Sequence, residues 1–318
     1  MTRARSGRFR RGRPPGSVAP VAVELVEFTD PACSYAWGTE PKVRRLRWQY
    51  GHRLRWRRVM VGLHPPGWTD GWSDPASPQA LSEYWKGVGA VTGMPFPLPL
   101  HRVHASTEDA CRLVKAAERQ DGAAPTGGPV DRPSDRLLRL LRESWYVWGR
   151  PADTVERGLA LAAAVDGLDV GLLARDVEGP AVAAALQADL AEARRPNDYV
   201  LAKPDKRVGY GAAQPTDDGW RFGIPCMVLT GPGGEVTVSG WTDWAEWAAA
   251  LEAASPGITA DARPLPTPAE AFATWPLLAR PELEMLCGPD HDLPPGVVRH
   301  QWAGGAAWLA PSAVPTSS

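Results

Sequence analysis

Glu27-Phe28-Thr29-Asp30-Pro31-Ala32-Cys33-Ser34-Tyr35-Ala36-Trp37-Gly38-Thr39-Glu40-Pro41 is the stretch on which the reading of this chain turns. Upstream of it, Val21 to Phe28 is nearly continuously apolar and rich in β-branched residues. That pattern predicts a central strand covered on both faces. Thr29-Asp30-Pro31 marks a turn, because Asp-Pro favours turn initiation. A helix is expected from about Cys33 to Tyr50, ending at Gly51. The cysteine therefore falls at a helix N-terminus, where the helix dipole and unpaired N–H groups can lower a thiol pKa.

Along that helix Val43, Leu46 and Tyr50 share one face, Arg44, Arg45 and Arg47 are expected to face water, and Pro41 is expected to kink the rod. Leu54 to Leu63 reads as a second strand, so the order strand, helix, strand implies a parallel βαβ unit. Residues 64–100, which include Trp68, Trp72 and Trp85, are rich in Pro, Gly and Trp, and His64 to Trp72 reads as a long loop with aromatic plugs. From Ser106 to about Asp205 the pattern is helical, with helices expected near 134–148, 152–165, 169–175 and 180–194. Gly223-Ile224-Pro225 then opens an apolar run. Pro225 to Thr230 and Glu235 to Ser239 flank Gly231-Pro-Gly-Gly234 as a hairpin, and a helix capped at Asp243 follows. The expected division is a basic tail over 1–19 and a split α/β domain over 20–75 and 206–255. A helical insertion over 76–205 separates its halves, and a linker and small module occupy 256–318 with a β-ribbon near 297–309.

Composition excludes several classes. The 318 residues carry a net charge of −1, which argues against a nucleic-acid binder. The arginines of the tail run into Pro14-Pro15-Gly16 rather than into an apolar segment, so no secretory signal and no membrane anchor are expected. The expected location is the cytoplasm. Cys33, Cys111, Cys226 and Cys287 are widely scattered and read as free thiols in a reducing compartment. Cys111 and Cys226 read as buried packing residues. His101 and His104, with Glu108, lack a third ligand at convincing spacing, so no metal is expected and the histidines read as surface residues.

A βαβ unit, a helical insert and a ββα unit with a proline opening its first strand resemble the DsbA-like branch of the thioredoxin superfamily. Motif spacing agrees with the resemblance: Glu27 stands six residues before Cys33, Pro41 eight after it, and Ile224-Pro225 matches the family's cis-proline step. Asp30 to Pro41, with Arg45-Leu46 and Tyr50-Gly51, is similar to the cytoplasmic subgroup that includes the YjbH/SpxH adaptors of the ClpXP protease. The resemblance implies a thioredoxin-like α/β fold in which Cys33 and Pro225 face one another. Glu27 either moves a proton there or is a buried acid paired with a lysine or arginine. Ser34, Tyr35, Ala36, Trp37 and Ile224 are the residues it implies against a substrate. One departure controls the function: the motif is Cys33-Ser34-Tyr35-Ala36, with alanine where a dithiol enzyme has its resolving cysteine. The implied activity is monothiol, mixed-disulfide chemistry on a protein or on a low-molecular-weight thiol, without another cofactor. The alternatives are a non-catalytic protease adaptor and a kappa-type glutathione transferase or isomerase using Ser34.

Overall fold

The structure is a computed structural model that describes residues 23–67, 77–122, 131–302 and 304–313. The basic tail, Trp68, Trp72 and the last residues lie outside them. Strand β1 (Val23–Thr29) feeds helix α1 (Ser34–Tyr50), which returns through β2 (Leu54–Met60). Seven helices follow: α2 (Pro78–Thr92), α3 (Glu108–Glu118), α4 (Pro133–Tyr146), α5 (Val155–Ala162), α6 (Val170–Asp176), α7 (Pro180–Ala193) and α8 (Asp198–Ala202). A short hairpin, β3 (Gln214–Thr216) and β4 (Gly219–Arg221), leads to β5 (Cys226–Gly231), β6 (Gly234–Ser239) and α9 (Trp244–Ala254). The chain then forms α10 (Pro268–Thr274), β7 (Leu277–Ala279), α11 (Arg280–Cys287), β8 (Val298–Trp302) and β9 (Gly305–Leu309).

The main sheet has the order β2-β1-β5-β6. β1 runs parallel to β2 and antiparallel to β5, so it is the central strand on which both halves of the split domain meet. On one side of that sheet Val23, Leu25 and Leu229 pack against Leu46 of α1 and Trp247 and Leu251 of α9. On the other, Phe28, Val59 and Val228 pack with Phe222 and Ile224. Phe28 and Phe222 stack with ring centroids 3.8 Å apart. The insert has its own core of Trp85, Phe96, Leu141, Trp145 and Tyr146, which reaches α1 at Trp37. Burying each large side chain there contributes roughly 1.5–3 kcal/mol.

Two expectations fail for identifiable reasons. Arg44 and Arg47 do not face water; both are buried. Carboxylates from distant elements meet them: Glu282 of α11 for Arg44, and Asp131 and Asp135 for Arg47. Past the expected loop, α2 opens the helical insertion. Ser77 caps that helix, Pro78 starts it, and Leu81, Trp85 and Val88 form its buried stripe. The C-terminal ribbon is a three-stranded sheet of order β7-β9-β8, completed by a three-residue strand too short to signal itself. α1 runs as one helix through Pro41.

Candidate functional site

Cys33 is the N-cap of α1. Its Sγ accepts a hydrogen bond from the Ala36 N–H at 3.3 Å and lies 3.9 Å from the Ile224 carbonyl oxygen, to which the thiol donates. The Ile224–Pro225 peptide is cis, and the Pro225 carbonyl accepts from Gly240 N–H at 2.8 Å. The β1–α1 turn and the start of β5 therefore meet at the thiol, although 191 residues separate Cys33 from Ile224. The turn is held by Asp30. Its buried carboxyl accepts from Ala32 N–H at 2.9 Å, Leu63 N–H at 2.8 Å, the Thr107 hydroxyl at 3.0 Å and the Cys111 thiol at 3.6 Å.

The electrostatics reverse the sequence-based expectation. Burial pushes the Cys33 thiol up to about 11; the Ala36 N–H opposes the rise, nearby Asp30 adds to it, and Arg142 opposes it. A helix terminus lowers a thiol pKa when the thiolate keeps its solvation. Here the amides of Ala36 and Tyr35 face a side chain removed from water, and desolvation dominates. The same cause raises Cys226 to about 12 and raises Cys111 well above its usual value.

The implied site residues divide. Ser34, Tyr35 and Ile224 line, with Cys33, a cavity of about 490 Å³. Ala36 contributes its backbone N–H to Cys33 while its side chain is buried. Trp37 does not reach a substrate: it is wholly buried, stacks near Tyr146 and donates from Nε1 to Pro95 O at 3.0 Å. Glu27 lies beneath the site, accepting from Trp56 Nε1 at 2.9 Å, with Arg58 at 3.6 Å and Arg142 at 3.7 Å. Its surroundings are those of a paired buried acid.

Four further side chains enter the site unforeseen. Arg142 reaches from α4 to Thr29 and Glu40 and places a positive charge near Cys33. Its signal was local: an arginine among Leu138, Leu141 and Trp145 on a buried helix face is out of place unless paired. His64 and His104 line the cavity, their rings joined by a hydrogen bond of 2.7 Å. The surface reading of His104 is thus corrected: it is 3% exposed, and burial lowers it to about 4. Arg221, at the end of β4, closes the cavity's far wall. Among the described residues no group of three His, Cys, Asp or Glu is placed to hold a metal ion. No helix among them is long and apolar enough to cross a membrane.

The overall fold finds a match among solved structures. A candidate protein disulfide isomerase from Nitrosomonas europaea superposes with a TM-score of 0.53 at 16% identity, covering 73% of this chain and 96% of that one. The likeness is one of fold: a mixed α/β, thioredoxin-like architecture. In sequence, the chain is similar to the ClpXP adapter protein SpxH of Shouchella clausii, 30% identical over 168 residues, 53% of this chain and 52% of that protein. The SpxH of Halalkalibacterium halodurans is 28% identical over 177 residues, 53% of each chain. The chain thus spans about half the length of the curated relatives it matches. No protein-family model matches it.

Proposed function

We propose that this protein is a non-catalytic, protein-binding adaptor that retains a DsbA-like site as a scaffold. One observation carries the proposal: the site cysteine is a buried, protonated thiol with alanine at the resolving position. With its thiol pushed up to about 11, Cys33 would be thiolate in only roughly one molecule in 10⁴ at pH 7, against a few per cent for a free cysteine. Disulfide exchange needs the thiolate. Ala36 removes the local second sulfur, and Cys111 and Cys226 are both buried. The naming of the sequence relatives as ClpXP adapters supports the same reading, with a protein client as partner and presentation to a protease as the role. Four free thiols suit a cytoplasmic location.

Monothiol exchange with a client or a low-molecular-weight thiol is the second reading. It is favoured by the cavity that opens on Cys33. Two measurements separate the readings. In the first, iodoacetamide alkylation of Cys33 is followed from pH 6 to 10; the adaptor reading expects a rate still climbing at the top of the range. In the second, client degradation by reconstituted ClpXP is compared with wild-type protein and Cys33→Ser; equal acceleration is expected. A thiol that titrates near neutrality, with acceleration lost in Cys33→Ser, would establish the redox reading instead.

A further inference from the structure

The cavity beside Cys33 holds a cation that the site's own carboxylates do not neutralise. Arg221 lines it, and one guanidinium nitrogen, Nη1, donates to the Phe222 carbonyl at 2.9 Å. Among the described residues no carboxylate lies within ion-pair distance of Arg221. Asp30 is near enough to favour its charge, but that carboxyl is saturated by two backbone amides, a hydroxyl and a thiol. Asp217 stands exposed on the rim. Of the cavity's other polar groups, the Cys33 thiol and the two imidazoles, held below their usual range by burial, are neutral near pH 7, and Ser34, Tyr35, Tyr84 and Gln214 add uncharged groups. Leu63, Leu81, Tyr84 and Trp85 also line it and give the cavity apolar and aromatic surface.

A partly desolvated guanidinium without a counter-ion is costly, and its planar fork matches a carboxylate bidentately. A mainly apolar chamber with one cationic end selects an amphipathic small molecule. We propose that this cavity is a binding site for a small organic carboxylate with an apolar or aromatic body, its anionic end on Arg221 and its body against Leu81 and Trp85. The Arg221 fork supplies the charge. Occupancy covers Cys33 and the Ile224 carbonyl without covalent chemistry. The site does not depend on the adaptor role, since it requires neither a protein client nor a reactive thiol.

The test uses 4-(trifluoromethyl)phenylacetate and its neutral amide as probes, with the full chain, followed by ¹⁹F NMR line broadening. The acid is expected to bind at least about tenfold more tightly than the amide, a ratio that charge recognition readily supplies. Arg221→Gln should reduce the acid to the affinity of the amide, whereas Arg221→Lys should keep most of the preference. Equal binding of acid and amide overturns the proposal. So does acid binding that survives Arg221→Gln, or the absence of broadening for both probes at millimolar concentration. Should Arg221→Gln fail to fold, the acid-to-amide ratio on the wild-type chain still decides. Client degradation in the adaptor test reads a different surface, so the two proposals fail separately.

Discussion

At the scale of single residues, the site shows desolvation prevailing over local dipoles. Cys33 was legible in the sequence as a residue and as a position, because strand, turn and helix signals surround it. Its chemistry was not legible, because burial depends on Ile224 and on the insert, which come from far along the chain. His104 carries the same lesson with a consequence for stability. It is held neutral, at about 4 against an ordinary 6.5, chiefly by burial. The unfolded chain takes up a proton near pH 6.5, while the folded chain resists until about pH 4. A depressed folded pKa stabilises the fold in full above the unfolded value, and the contribution is lost as pH falls through that window. Its size is at most roughly 3 kcal/mol. Urea unfolding at pH 7.5, 5.5 and 4.5 should show a progressive loss that His104→Gln makes shallower. An unchanged slope in the variant would assign the loss to other groups.

At the scale of elements, periodicity and capping made most helices readable, and α4, α7 and α9 begin where their caps and prolines indicate. α2 was obscured because Gly87 and Gly89 interrupt a helix whose apolar stripe is otherwise regular. The hairpin β3–β4 was too short to be read, although it delivers Arg221 to the cavity. The segment before it is fixed by a glycine that no periodicity flags. Gly209 has φ +88°, and a Cβ there would lie 2.3 Å from the Tyr35 ring. Both facts oppose any side chain, since the left-handed region strains L-residues and the ring is part of the cavity wall. Gly209→Ala should cost on the order of 1–3 kcal/mol and push Tyr35 out of place. Thermal melting reports the first effect and a shift in the acid probe's affinity the second. A variant as stable as wild type, with unaltered probe binding, would mean that the loop yields without consequence.

At the scale of the whole molecule, the surprise is a buried ionic seam that no sequence window displays. It starts at Glu27 in β1, passes through Arg142 and Arg139 of α4 and Glu40 and Arg44 of α1, and ends at Glu282 of α11. Arg139, Glu40, Arg44 and Glu282, taken locally, look like parts of solvated faces. Only the three-dimensional arrangement shows that α1 is clamped between the insert and the C-terminal module. Such a seam is not a large net source of stability, because each ion loses its hydration. Removing one partner is another matter. Glu282 is wholly buried and receives Arg44 and Arg139 while its other oxygen accepts from the Ala279 N–H at 2.7 Å. Glu282→Gln leaves two guanidinium groups short of a counter-charge and should destabilise by roughly 3–5 kcal/mol. Because the seam runs from the C-terminal module to the strand below Cys33, that loss should appear in one cooperative transition shared by all probes. An early, separate melting of residues 265–311, with Cys33 alkylation unchanged, would show instead that the C-terminal module is only appended to the split α/β domain.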